Sequence, residues 1–396
     1  MTRLLEVLIS LLIVAVLFVV VGVLLPSERT LVEQVETNRR QTIVFDTLNS
    51  FRRFHEWHPM VLYDPTIELN RSGPEEGEGA TLQFESDVRS VPSGSWTIVE
   101  SEPRSRIAIA IEDDSQGTNK RTEFRIRPTG RGGRNMEITQ TYNVEYGWNL
   151  FGRYSGLYVS RSVGDAMALG LNRLSNMLAS VPNVDYAVEG STLENLRIVE
   201  RPAENLLVVR AGGIERRTNE IQASMHSNME WINRTLEAND LEAAGPMRII
   251  TTELGREVYN FDVALPVRTA GTGPDAEENG DEAESGGNGE NGDSADSADS
   301  ADQAVADAPV VDEGELGELE LLGPVEYVRT EPSMAAAGDY TGFMAELENV
   351  RNAIRAWAMT QGYEVTGRPY EFYESGIDDS FSADGQYEVY WTLRQQ

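Results

Sequence analysis

The sequence predicts an α+β protein. A membrane-spanning helix comes first, then an antiparallel sheet closed by a long C-terminal helix, then a second α+β domain made of two β-α-β-β repeats. Three observations carry this expectation. Residues 7–25, VLISLLIVAVLFVVVGVLL, are uncharged and long enough to cross the hydrocarbon core of a bilayer. Residues 66–147 hold six short strand-like runs separated by turn residues. Finally, Gly212 precedes Trp231 and Gly338 precedes Trp357 by the same 19 positions, within stretches that align.

The apolar segment, bounded at 4–25, is followed by LLPSERT, which lacks the small-residue pattern of a cleavage site. It reads as an uncleaved single-pass anchor. The amino terminus and Arg3 favour a cytoplasmic short end, a preference that Glu6 and the mixed Glu28/Arg29 flank weaken. The bulk of the chain is then expected to be extracytoplasmic (periplasmic).

The first domain is expected over 30–182. TLVEQVETN alternates as a strand does, and RQTIVFDTLNSFRRFHEWHP has helical spacing through Ile43, Phe45 and Leu48 before stopping at Pro59. The six strand-like runs follow as a meander. An amphipathic helix over 154–179 closes the domain. A curved sheet wrapped round that helix would bury it and leave a cavity between them.

The second domain is expected over 194–396. Each repeat has a strand-like start, a glycine turn, a helix containing Trp, and two paired strands: MRIITTEL with VYNFDVALPV, then PYEFYESG with YEVYWTL. An insertion over 270–318 interrupts it. Between Asp275 and Glu320 lie 17 acidic residues and no Lys or Arg, with three SAD triplets and no aromatic ring, the composition of a disordered surface spacer. Such a loop adds little closure entropy. Its triplets lack the glycine-turn spacing of calcium loops.

Charge limits the partners. The chain carries a formal −32, and the remaining −15 outside that insertion is still acidic, so nucleic acid is not an expected partner. Lys120 is the only lysine. With no cysteine there is no disulfide, thiolate nucleophile or Cys-based metal site. No cofactor is expected. His55 and His58 flank Glu56 in HEWHP, but the spacing is not that of a zinc helix, and His226 is the one other histidine.

Two resemblances add to this reading. The layout of 31–180 resembles the helix-grip superfamily called SRPBCC, which includes START lipid-transfer domains and polyketide cyclases, and in particular its membrane-anchored bacterial members. FHEWHP, RSGPEEGEGA and GWNLFGRYSGL match three of their motifs in order. The resemblance implies a hydrophobic ligand cavity and no particular reaction. Residues 195–394 resemble the GyrI-like, or AraC effector-binding, domain through AAGDY and YEFYESG. In that family a strand glutamate lies in an aromatic pocket and meets cationic, lipophilic ligands, which places the role on Glu371 with Tyr373 beside it. SGIDDS replaces the family's usual Asn-Asp-Pro-like turn, so the rim is expected to differ.

The candidate ligand contacts are therefore Trp57, Trp96 and Tyr142 in the first domain, and Glu371, Tyr373, Tyr259 and Phe261 in the second. Buried aromatics usually form core, and a strand glutamate usually faces solvent. A carboxylate in an apolar cleft needs a partner, and a bound lipophilic cation would supply it. The expected function is binding, sequestration or sensing of a hydrophobic or cationic amphipathic small molecule. A hydrolase or cyclase acting on lipophilic natural products is the alternative, though no Ser-His-Asp, Cys-His or metal constellation is apparent. A structural protein with collapsed cavities is a third.

Overall fold

The computed structural model describes residues 2–188, 190–255, 257–272 and 314–394. It is a mixed α+β structure with antiparallel sheets. The chain divides into two compact units, residues 1–189 with 355–363, and 190–354 with 364–396. Most of the acidic insertion expected over 270–318 lies outside the described residues.

The N-terminal helix Thr2–Leu24 exposes its apolar side chains almost throughout. By length and composition Arg3–Leu24 could cross a membrane or serve as a signal sequence. The first sheet contains β1 (Glu28–Thr37), β2 (Glu68–Ser72), β3 (Thr81–Glu85), β4 (Gly94–Glu102), β5 (Arg106–Asp113), β6 (Thr118–Thr129) and β7 (Asn135–Glu145). Their order, β1-β7-β6-β5-β4-β3-β2, is a meander whose last strand returns to pair with the first. Strict alternation sets the inner face. Along β7, Met136, Ile138, Gln140, Tyr142 and Val144 are buried and their neighbours are not. Gln140 is tolerated inside because its amide donates to Thr122 Oγ1 at 3.1 Å.

The helix Asp165–Leu178 buries Met167, Leu171, Leu174 and Leu178, spaced for one face. The single helix expected over 154–179 is instead three pieces: Leu150–Ser155, a π-helical turn Ser160–Gly164, and Asp165–Leu178. The first piece is diverted onto the N-terminal helix, as described below. Hydrophobic periodicity runs through the break and hides it.

Lys120, the sole lysine, is buried. Its ammonium pairs with the Asp113 carboxylate and donates to Ser115 O at 2.7 Å and Ser115 Oγ at 2.8 Å. All three of its protons have acceptors, which a buried charge requires.

The second sheet contains β8 (Leu193–Arg201), β9 (Asn205–Glu215), β10 (Leu241–Ala243), β11 (Arg248–Leu254), β12 (Val258–Thr269), β13 (Val325–Arg329), β14 (Ser333–Thr341), β15 (Tyr370–Tyr373) and β16 (Gln386–Thr392). The order β13-β9-β12-β11-β15-β16-β14-β8, with β10 beside β12, reads alike from either end. Each half runs strand, helix, strand, strand, with helices Thr218–Ala238 and Leu347–Thr360. The centre of this symmetry lies between β11 and β15, where Ile249 faces Glu371. On one face of β15, Tyr370 stacks on Tyr390 at 5.0 Å, and Arg248 lies 4.9 Å over the Tyr370 ring. The other face carries Glu371 and Tyr373, as the period of two requires.

Candidate functional site

The glutamate of YEFYESG is not open to solvent. Glu371 is fully buried, and the helix Leu347–Thr360 places Arg351 directly against it. Arg351 Nε donates to Glu371 Oε2 at 3.1 Å, while Nη2 pairs with Oε1 and donates to Tyr259 Oη at 3.2 Å. Thr251 Oγ1 meets the same tyrosine hydroxyl at 2.8 Å. Burial pushes the Glu371 carboxyl above its ordinary range, against the opposing pull of the guanidinium. Burial also works against the Arg351 charge, but Glu371 and Tyr259 hold its pKa above the usual value. The positive charge that sequence reasoning assigned to a bound cation is thus supplied from within the chain.

Beside this pair is a cavity of about 190 Å³, lined by Ile221, Tyr259, Phe343, Met344 and Phe381, with Arg216, Glu348 and Arg351 as its charged groups. It lies where the two long helices begin. Of the four residues expected here, Tyr259 lines the cavity. Glu371 stands behind Arg351. Phe261 packs on Tyr259 at 4.7 Å between ring centroids, and Tyr373 meets Tyr387 edge-on at 5.0 Å. The Tyr373 hydroxyl is buried without a hydrogen-bond partner among the described residues.

Sequence reasoning missed Arg351, although a signal for it was present. Aligning Gly212 with Gly338 places Arg351 opposite Met225. Met225 is fully buried, so the second helix carries a charge where the first carries an apolar side chain, and the strand neighbour directly opposite Glu371, Ile249, is apolar and buried too.

In the first unit, Trp57, Trp96 and Tyr142 are 4%, 6% and 9% exposed. Both indoles pack edge-on against Phe54, at 5.6 and 5.3 Å. The Trp57 Nε1 donor has no hydrogen-bond partner among the described residues. His58 stacks on Phe54 at 4.3 Å and lies 4.9 Å from Trp96, while His55 is exposed. Enclosure by these rings lowers the His58 pKa to about 3, so the ring is neutral near neutrality. Elsewhere in this unit, Tyr186 donates to Asp46 Oδ2 at 2.6 Å, and burial raises the Asp46 pKa to about 6 despite that bond.

The family model for polyketide cyclase/dehydrase and lipid transport matches residues 28–178. This stretch of the chain is a polyketide cyclase/dehydrase (SRPBCC-like) domain. No curated protein matches the chain. Among solved structures, the EcmrR–DNA complex is 12% identical over 62% of this chain and 71% of that one, with a TM-score of 0.35. Norcoclaurine synthase from Thalictrum flavum, in truncated form, is 12% identical over 39% of this chain and 94% of that one, with a TM-score of 0.31. A Thermobifida fusca protein is 21% identical over 37% and 90%, with a TM-score of 0.29.

Proposed function

We propose that this chain is a single-pass anchored protein, with its bulk outside the cytoplasm, whose two units bind hydrophobic or amphipathic small molecules. The SRPBCC-like fold of residues 28–178 fits hydrophobic ligand binding. The ligand there would be lipid- or polyketide-like, with Trp57, Trp96 and Tyr142 as walls and the free Trp57 donor as a polar handle. The second unit would be a GyrI-like effector-binding domain whose ligand occupies the cavity beside Arg351.

The observation that carries this reading is the placement of the Arg351–Glu371 pair against that cavity, with Arg351 at the helix position that the first repeat fills with buried Met225. Well-packed apolar side chains are often as stable as a buried ion pair or more so, which favours a role for the charges beyond packing. A lipophilic cation entering the cavity would compete with Arg351 for Glu371. The displaced guanidinium would find Glu348 one helical turn earlier on its own helix. The ligand would also gain cation–π contact with Tyr259.

The test compares benzyltrimethylammonium with its neutral isostere neopentylbenzene on the full chain. Glu371→Gln should abolish cation binding and spare the neutral compound. Glu348→Gln, which leaves the buried pair intact, should weaken the cation alone, by several-fold. Equal binding of both compounds to all three proteins would refute the exchange, and product analysis of the same samples would detect any turnover.

A further inference from the structure

We infer that residues 148–158 form a foot embedded in the lipid interface beside the anchor, an inference that rests on the reading of Thr2–Leu24 as a membrane span. The starting point is an unusual set of exposures. Trp148 is 81% exposed, Phe151 74%, Tyr158 70% and Leu157 47%. Four large apolar or aromatic side chains within eleven residues form a patch that water disfavours. Aromatic rings with one polar edge are the residues that settle at membrane–water boundaries.

The position of the patch along the helix decides what covers it. Phe18 stacks on Tyr154 with centroids 4.6 Å apart, and lies 5.2 Å from Phe151. Tyr154 also donates its hydroxyl proton to Phe18 O at 2.8 Å. Phe18 is six residues before the helix end at Leu24, or about 9 Å below it at 1.5 Å per residue. A helix of Arg3–Leu24 is about as long as a hydrocarbon core is thick. Any side chain packed on Phe18 therefore sits below the end of the span, in the outermost part of the hydrocarbon just beneath the headgroups.

The docking is built at several points. Arg153, 8% exposed, donates through Nη1 to Val23 O at 3.0 Å and Leu25 O at 3.2 Å, and through Nε to Gly147 O at 2.7 Å. It caps the carbonyl end of the helix, where a cation is favoured. Gly22 makes the close approach possible, because a Cβ there would lie 3.2 Å from the Tyr154 ring and 3.3 Å from Leu150. On the far side, a Cβ on Gly152 or Gly156 would come within 2.9 or 2.8 Å of the Tyr146 ring. Gly152 and Gly156 of GWNLFGRYSGL thus let the short helix pack closely between Tyr146 and the span. In a chain of net charge −32, residues 146–164 contain no carboxylate, so the foot meets anionic headgroups without repulsion.

The absence of cysteine makes the test clean. Single nitroxide labels at Val14→Cys, Phe151→Cys, Tyr158→Cys and Glu75→Cys would be placed on the full chain in phosphatidylcholine–phosphatidylglycerol nanodiscs. Collision with oxygen is compared with collision with a water-soluble nickel chelate. The ratio at Phe151 and Tyr158 should exceed that at Glu75 several-fold and approach that at Val14. Adding Gly22→Leu should return the two foot labels toward the Glu75 value while Val14 stays in lipid. Water-like ratios at Phe151 and Tyr158 with Val14 in lipid would overturn the foot and leave the anchor standing. A water-like ratio at Val14 would overturn both.

Discussion

Replacing Arg351 by Met destabilises the second unit by about 3–5 kcal/mol, the usual consequence of leaving one member of a buried pair without the other. Glu371→Ile is expected to cost a similar amount, since Arg351 cannot shed its proton. The double replacement puts two apolar side chains where the ion pair was, and should return to within about 1 kcal/mol of the parent. Denaturant titration, with amide exchange read at β11, β15 and β16, measures the cycle. Additive losses would show that Arg351 and Glu371 do not act as a unit. A recovered double variant that no longer binds cations would separate the pair's role in recognition from its role in folding.

The second large effect is a pH dependence in the first unit with two opposing sources. His58 has a folded pKa of about 3, below its unfolded value of about 6.5, so its contribution is complete above ~6.5 and is lost as pH falls toward ~3. Asp46 has a folded pKa of about 6, above its unfolded value, so its contribution is complete below ~4 and is lost as pH rises through ~6. The full His58 shift corresponds to at most about 5 kcal/mol, and screening at its exposed edge reduces this to about 2–3. Asp46 contributes about 1–2 kcal/mol in the opposite direction. His58→Phe keeps the stack on Phe54 and should leave a unit whose stability declines from ~pH 4 to ~pH 6. Asp46→Asn should steepen the acid loss and raise the midpoint near neutrality. Unfolding midpoints across that range check both. Parallel profiles in the parent and both variants would mean that neither group is linked to folding.

The sequence made the strands legible because half-buried strands alternate. The runs read between Thr66 and Gly147 coincide with β2 to β7, and all of TLVEQVETN but its final Asn38 lies within β1. The paired strands of both repeats were equally plain. What escaped reading depended on contacts distant in sequence. The break after Ser155 is set by Tyr146 and the N-terminal helix, not by local propensity. Strands β8 and β10, both short of strong alternation, are defined by their partners β14 and β12. Glu371 could be recognised as unusual from its strand, but its partner lies on another element twenty residues away. The alignment of Arg351 with Met225 marked a charge on an otherwise buried helix face.

Binding of a small amphipathic molecule in the cavity of the second unit remains the proposal on which the cation exchange depends. It is tested most directly by calorimetric titration of the full chain in nanodiscs with benzyltrimethylammonium, comparing the parent with Ile221→Trp. Ile221 lines the cavity and is 8% exposed, so an indole there fills the space without touching Arg351 or Glu371 by substitution. Saturable one-site binding is expected in the parent, with its loss in a variant of unchanged circular dichroism. Absence of saturable binding in the parent, or equal affinity in both, would contradict it.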